Sequence, residues 1–382
     1  MEIKPYVANI LDEIESEGLT AVRKYSEELD DYRGPLKVEK ESFLSPEEFP
    51  PEELGAIRSA IDRIRRHHSR AIPEDNLYLK SGSLYGTVFR AIGKIGIYVP
   101  GGSPLPSSLM MTAIPAQLAG ISEIVVTSPP SDGEINPYVL LVANMLGIEK
   151  VYRLGGAQAI GALAYGAGLP AVDKIFGPGN RYVNEAKRQV YGEVGIDGLA
   201  GPSEICVIAD ETADKTHVLA DLRSQLEHGE DSKAWLLTTS SELADHCTNS
   251  RAEVELKGDL LSCLDRANDI APEHLEIMAE NGESLLDDVV NAGAVYLGSF
   301  TPAAAADYFL GVNHVLPTGG AARFDSVLTV RDFMKPVSVA EVGREEYLAT
   351  SDIGKKLAEI EGMTEHLSSL EVRESETEDR RS

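Results

Sequence analysis

Positive charge is scarce in this chain: 35 lysines and arginines stand against 62 aspartates and glutamates, a formal net of -27. Binding nucleic acid requires a basic footprint that displaces counterions, so no nucleic-acid partner is expected. The carboxylates are spread along most of the chain and form no single acidic run. Such dispersed acidity fits a protein working in high salt, where repulsion is screened; an ordinary acidic cytosolic protein is the alternative. Cysteine is sparse as well. Cys206, Cys247 and Cys263 are odd in number and have no paired spacing, which speaks for a reducing compartment and against a thiolate metal site. Long apolar runs are missing: none approaches the roughly 18 residues of a membrane helix, and Ile92 to Val99 is broken by glycine and lysine. No membrane partner is therefore expected. No basic-then-apolar leader follows Met1, which makes the cytoplasm the expected compartment. Also absent is any Gly-x-Gly-x-x-Gly after a predicted strand, the usual dinucleotide fingerprint.

What is present is a patterned, ordinary apolar content in a chain of 382 residues, too long for one small core. Val7, Ile10, Leu11 and Ile14, then Leu19, Val22, Tyr25 and Leu29, recur at helical spacing and predict one or two amphipathic helices over 5–30. Ser45-Pro46-Glu47-Glu48 has the cap, the proline and the glutamate of a helix start. A further helix is predicted from the turn at Pro50-Pro51 to residue 70, closing on His67 and His68. These histidines are either exposed structural residues or substrate or phosphate contacts.

From residue 78 the period changes. Strands are predicted over 84–89, 93–99, 123–127, 150–154 and 172–176, with helices over 107–118, 137–146 and 155–166. The rhythm resumes with strands over 203–209, 235–239, 275–277 and 294–297, and helices over 213–227 and 242–248. A parallel sheet covered on both faces requires this alternation with short loops. Two blocks, roughly 90–195 and 200–300, leave an internal duplication open. The expected fold class is α/β, with Rossmann-like parallel-sheet domains at 81–195 and 196–325 behind an N-terminal helical segment at 1–80. A small C-terminal segment follows at 326–370. Residues 371–382, with nothing apolar after Val372, are expected to form a disordered acidic tail.

Three glycine loops stand where ligands bind in open α/β sheets, beyond the carboxyl ends of predicted strands. Tyr98-Val-Pro-Gly-Gly102 and Gly177-Pro-Gly-Asn180 each link a strand to a helix, and Gln158 follows Gly155-Gly156 at a third such junction. They either point backbone N–H groups at an anion or are tight turns only.

Glu273 and His274 put a carboxylate beside an imidazole after Pro272, where the one could activate water and the other take a proton from a hydroxyl. Adjacent residues of an extended segment point to opposite faces, so the chain must bend there if both serve one pocket. A capped strand start is the bland alternative. Gln225 and His228 lie three apart on one helical face, and Asp307 and His314 follow in an apolar, glycine-rich setting. Histidine nitrogen and carboxylate oxygen suit zinc, but spacing alone does not make this scattered set a metal site. Cys206, a thiol that could serve aldehyde oxidation, sits in the apolar strand Ile205-Cys-Val-Ile208 and reads as a small buried residue.

Taken together, Tyr98-Val-Pro-Gly-Gly102, Gly155-Gly-Ala-Gln-Ala-Ile160, Phe176-Gly-Pro-Gly-Asn180 and Gly201-Pro-Ser-Glu204 recur with Gln225-Leu-Glu-His-Gly229, Ala271-Pro-Glu-His-Leu275, Asn313-His-Val-Leu-Pro-Thr318 and Glu361-Gly-Met-Thr-Glu-His366. In this order and spacing they resemble the histidinol dehydrogenases over essentially the whole chain. The resemblance implies an aldehyde-dehydrogenase-like fold and oxidation of L-histidinol to L-histidine through the aldehyde, with two NAD reduced in succession. A dehydrogenase for another amino alcohol or aldehyde is the alternative. It further implies one zinc per subunit on Gln225, His228, Asp307 and His366, with Glu273 activating water and His274 accepting protons. Substrate contacts would fall on Ser203, Gln225, His228, His274, Asp307, His314, Glu361 and His366, and NAD contacts on Tyr98, Gln158 and Asn180. The implied homodimer shares its active sites, the segment with Glu361 and His366 reaching into the partner's. The segment 101–108 is about one residue shorter than the family's usual loop, and the start of the chain is also shorter.

Overall fold

The N-terminal pattern folds into two helices, Ile3–Glu17 and Leu19–Asp30, whose buried residues include Val7, Ile10, Leu11, Ile14, Val22 and Tyr25. The computed structural model describes residues 2–101 and 105–375. Ser45 caps only a single 3-10 turn, Pro46–Glu48, and the long helix begins after it at Pro51–His68. Within that helix His68 differs from the expectation of exposure. It is buried, its Nε2 lies 3.2 Å from Asn313 Nδ2, and burial lowers its pKa to about 4.

A hairpin follows, β1 (Asn76–Lys80) and β2 (Ser83–Ala91), turning on Ser81 and Gly82. Both turn residues have positive φ, which matches the right-handed twist of the strands. Then come β3 (Lys94–Tyr98), β4 (Glu123–Ser128), β5 (Lys150–Arg153), β6 (Lys174–Phe176) and β7 (Gly195–Ile196), all parallel, in spatial order β5-β4-β3-β6-β7. A second parallel sheet holds β8 (Glu204–Ala209), β9 (Lys233–Thr238), β10 (Glu253–Leu256), β11 (His274–Met278) and β12 (Ala294–Leu297), in order β10-β9-β8-β11-β12. Each sheet therefore winds third-second-first-fourth-fifth, so the duplication left open by the sequence is present in the topology. Last, β13 (Met334–Glu341) joins β2 on the side away from β1.

The central strands of the two parallel sheets are buried on both faces because helices cover both. In the second sheet Val207, Ala209 and Met278 pack with Val218 and Leu222 of the helix Lys215–Leu226. Their neighbours Cys206, Ile208, Leu275 and Ile277 pack with Cys263 and Leu264 of the helix Leu260–Ile270. Each such fully buried aliphatic side chain contributes about 1.5–3 kcal/mol relative to exposure. In the first sheet Val125 and Ile175 share a core with Ile160 and Leu163 of the helix Gly156–Tyr165 and with Ile10 and Ile14 of the first helix.

Two compact units result: Met1–Ile72 with Ala91–Phe333, and Pro73–Arg90 with Met334–Ser382. Both five-stranded sheets lie in the first unit, and the hairpin groups with the C-terminal segment because β13 pairs with β2. These divisions differ from the expected boundaries at 80/81, 195/196 and 325/326. The second unit also contains the helices Arg344–Glu361 and Thr364–Ser375. Residues 371–375, expected in a disordered tail, belong to the latter helix; 376–382 lie outside the described residues.

Candidate active site

Glu273 and His274 owe their placement to a turn one residue earlier than the sequence suggested. The helix Leu260–Ile270 ends at Ala271, a non-glycine residue in the left-handed region with φ of +54. Ala271 N–H bonds back to Ala267 O at 2.9 Å, and Pro272 then leads into β11. Glu273 therefore precedes the strand's alternation, and both side chains line one cleft, with Glu273 Oε1 and His274 Nε2 3.8 Å apart.

The cleft has a volume of about 600 Å³ and lies in the first unit. Gly177 and Pro178 line it from the loop after β6, whereas Ser203, Glu273 and His274 line it from the starts of β8 and β11. It thus meets the carboxyl edge of one sheet and the amino edge of the other. Gln225, His228, Asp307 and His314 of the expected set line it too. Gln225 is buried in the last turn of the helix Lys215–Leu226, and His228 is exposed just beyond it. Asp307 stands on the π turn Ala306–Leu310, with Oδ1 3.2 Å from His314 Nδ1. Gln225, His228 and Asp307 offer one imidazole nitrogen and two oxygens, a donor set that fits zinc with a position left for substrate. Among the described residues no three His, Cys, Asp or Glu gather as a metal-holding group. Only His228 and Asp307 of the expected ligands in this unit are of those types.

Burial acts on the two central residues in opposite directions. It raises Glu273 to about 8, opposed by the Glu204 N–H that donates to Oε2 at 2.9 Å and reinforced by Glu204 and Asp307. It lowers His274 to about 4, against the pull of Asp307, so the imidazole is neutral. Its Nδ1 lies 3.1 Å from the Tyr296 hydroxyl, and the rings stack with centroids 5.8 Å apart. Burial also raises the Tyr296 phenol, which therefore stays protonated.

The expected cofactor residues sit elsewhere in the first unit and do not line this cleft. Tyr98 ends β3, and its hydroxyl accepts from Gly156 N–H at 3.3 Å; burial pushes the phenol up to about 12. Gln158 is fully buried, its Nε2 donating to Asp30 at 3.0 Å, while its Oε1 has no hydrogen-bond partner among the described residues. Asn180 is exposed and caps the helix Arg181–Val190 by accepting from Tyr182 and Val183 N–H. Tyr98 stands at the carboxyl end of β3, and Gln158 and Asn180 beyond those of β5 and β6. Part of the shortened 101–108 segment, residues 102–104, lies outside the described residues. Glu361 and His366 belong to the second unit, where both are exposed.

Comparison with known proteins decides the family. The family profile for histidinol dehydrogenase matches residues 1–374. A histidinol dehydrogenase from Thermococcus kodakarensis is 62% identical over 97% of this chain and 99% of its own length. One from Bacillus subtilis is 39% identical over 98% and 93%. The crystal structure of histidinol dehydrogenase from Elizabethkingia anophelis superposes with a TM-score of 0.94 at 34% identity, over 99% of this chain and 93% of that one.

The chain belongs to the histidinol dehydrogenase family.

Histidinol dehydrogenases oxidise histidinol in histidine biosynthesis, and the chain is accordingly an oxidoreductase. PutA from Anabaena variabilis shares the fold alone, at a TM-score of 0.50 and 14% identity over 89% of this chain and 92% of that one. Beyond the residues the family likeness supplied, the cleft wall holds a buried pair that sequence reading passed over. Lys187 pairs with Asp197 and donates to Gly177 O at 3.0 Å, while Asp197 Oδ2 accepts from Gly177 N–H at 2.7 Å. Only glycine fits between them: Gly177 has φ of +114, and a Cβ would stand 2.0 Å from Tyr98 O. The available signal was a lysine on the apolar face of its helix, between Val183 and Val190.

Proposed function

We propose that the chain oxidises L-histidinol to L-histidine through L-histidinal, a four-electron reaction with NAD and one zinc per subunit, in the cytoplasm as the last step of histidine biosynthesis. The observation that carries this reading is the meeting, in one cleft, of Ser203, Gln225, His228, Glu273, His274, Asp307 and His314 from segments far apart in the chain. In this reading Gln225, His228 and Asp307 hold zinc together with His366 of a second copy, and Ser203, His314 and Glu361 orient the substrate.

His274, neutral through burial, accepts the proton of the alcohol and later of the hydrate. For Nε2 to accept, Nδ1 must carry the hydrogen and donate it to Tyr296, which fixes the tautomer. Glu273, 3.8 Å from that ring, takes a proton from water in the second oxidation. Bound zinc supplies a Lewis-acidic anchor for the imidazole and amine of histidinol and a positive charge that favours ionised Glu273. NAD, when bound, would supply the hydride acceptor for each oxidation. Tyr98, Gln158 and Asn180 are proposed to hold it, and the unpartnered Gln158 Oε1 suits a ligand hydroxyl.

A homodimer is part of the proposal. The helix Arg344–Glu361 exposes Ile353, Leu357 and Ile360 at helical spacing, an apolar stripe suited to burial against a second copy. No helix among the described residues is long and apolar enough to cross a membrane, and the three cysteines are free and buried.

The test is NADH formation with histidinol against simple alcohols, repeated after chelation and after zinc is restored. Histidinol-dependent reduction that disappears with the metal and returns with it is expected. Indifference to metal would remove zinc from the reading, and equal turnover of simple alcohols would remove histidinol.

A further inference from the structure

Behind the cleft, on the face of β11 that carries His274, lies a carboxyl group for which the proposed reaction has no use. Glu276 is two residues on from His274 and almost fully buried among the apolar side chains under the helix Lys215–Leu226. A buried carboxyl group is costly unless its oxygens are occupied. One is: Glu276 Oε1 accepts from Ala303 N–H at 2.6 Å. Ala303 opens the short helix that leads to Asp307, four residues later. The other has no hydrogen-bond donor among the described residues, and the Asp221 carboxyl group lies close enough to act on the Glu276 carboxyl. Asp221 stands on the helix Lys215–Leu226, four residues and about one turn before Gln225.

We propose that Glu276 is a positioning residue for the metal-binding set: a single side chain ties the helix that ends in Gln225 and the turn that carries Asp307 to the strand that carries His274. The inference rests on the metal set proposed above.

Two carboxyl oxygens attract each other only when one holds a proton, so the strut is a shared-proton pair. Burial raises both groups; the Asp221 charge raises Glu276 further, whereas the interaction with Glu276 offsets part of the rise of Asp221. Glu276 therefore keeps the proton and donates it to ionised Asp221. The other titratable groups bearing on the pair are His217, on the helix of Asp221, and Tyr296 on β12. With the proton removed, two buried anions would face each other and push the two ligand-bearing elements apart.

The test reads zinc affinity of the full chain by competition with a chromophoric chelator, so that it does not depend on turnover. Glu276→Leu, which loses both bonds, is expected to bind zinc about 10–100-fold more weakly. Glu276→Gln reproduces the protonated form, accepting from Ala303 and donating to Asp221, and is expected to stay within about threefold of the wild type at neutral pH. The ratio of its affinity to that of the wild type should grow toward alkaline pH, a change that loss of packing alone would not produce. Asp221→Ala cuts only the arm toward Gln225 and serves if the leucine variant does not fold; it too should weaken zinc. Wild-type protein that binds no zinc overturns the metal set and this inference with it. Zinc held equally by all variants at every pH overturns this inference alone.

Discussion

Glu273 and His274 are neighbours whose ionisation is pulled in opposite directions by the same burial, and both shifts favour the form that carries no charge. For Glu273 the effect on stability has a definite sign. Below the ordinary carboxyl value of 4.5 folded and unfolded chains both hold the proton. Between 4.5 and about 8 only the folded chain holds it, so stability falls as pH rises through this window, and above it the full cost of a buried anion is present. Glu273→Gln in zinc-free protein is therefore expected to be more stable than the wild type near pH 9, by on the order of a few kcal/mol. Denaturant titration checks this, and the gain should vanish near pH 4. The same substitution is expected to slow oxidation of histidinal by about 10²–10⁴-fold while sparing most of the first oxidation. In a single turnover of histidinol the variant should then release one NADH per site and stall. Equal losses with histidinol and histidinal would contradict the division of labour between the two residues. The pair itself was legible in the sequence because Pro272-Glu273-His274 leaves two titratable side chains where packing has little use for them. Lys187, Glu276 and Tyr296 were not, since each reads as an ordinary member of its helix or strand until its partners, 10 to 55 residues away in the chain, are seen.

At the scale of elements, the turn at Ala271 is what brings Glu273 and His274 to one side. Alanine in the left-handed region is strained by its Cβ, and a β-branched residue more so. Ala271→Val is expected to destabilise the fold by about 1–3 kcal/mol and to lower turnover, whereas Ala271→Gly should be neutral or stabilising. Thermal unfolding and activity of the two variants check this, and a harmless valine would show that the turn is not what orients the pair. Both parallel sheets could be read from the sequence because apolar runs bounded by glycine and proline left few other assignments. The missed elements lacked that signal: β1 is exposed along its whole length, and β10 is an edge strand with no buried residue. Ser45-Pro46-Glu47-Glu48 misled because its capping chemistry is real but serves a single 3-10 turn. Unit boundaries were illegible for a different reason. They follow from the pairing of β2 with β13, residues some 250 apart in the chain, and no local pattern encodes that pairing.

For the whole molecule, the proposed dimer makes a prediction that neither subunit alone can satisfy. If His366 completes the metal site of a second copy, Glu273→Gln and His366→Ala variants should each form almost no histidine in steady turnover. Mixed under conditions that exchange subunits, they should regain activity. A randomly reassorted mixture has one intact site in half its dimers, about a quarter of wild-type activity. A mixture that remains inactive while heterodimers are demonstrably present would place His366 in its own subunit's site, and a His366→Ala variant that is active alone would place it outside any site. The family's chemistry as a whole is tested by counting electrons. With histidinol limiting and NAD in excess, the zinc-loaded protein should form two NADH for each histidinol consumed and yield histidine. One NADH per histidinol with the aldehyde accumulating, or none, would contradict a four-electron oxidation in this cleft.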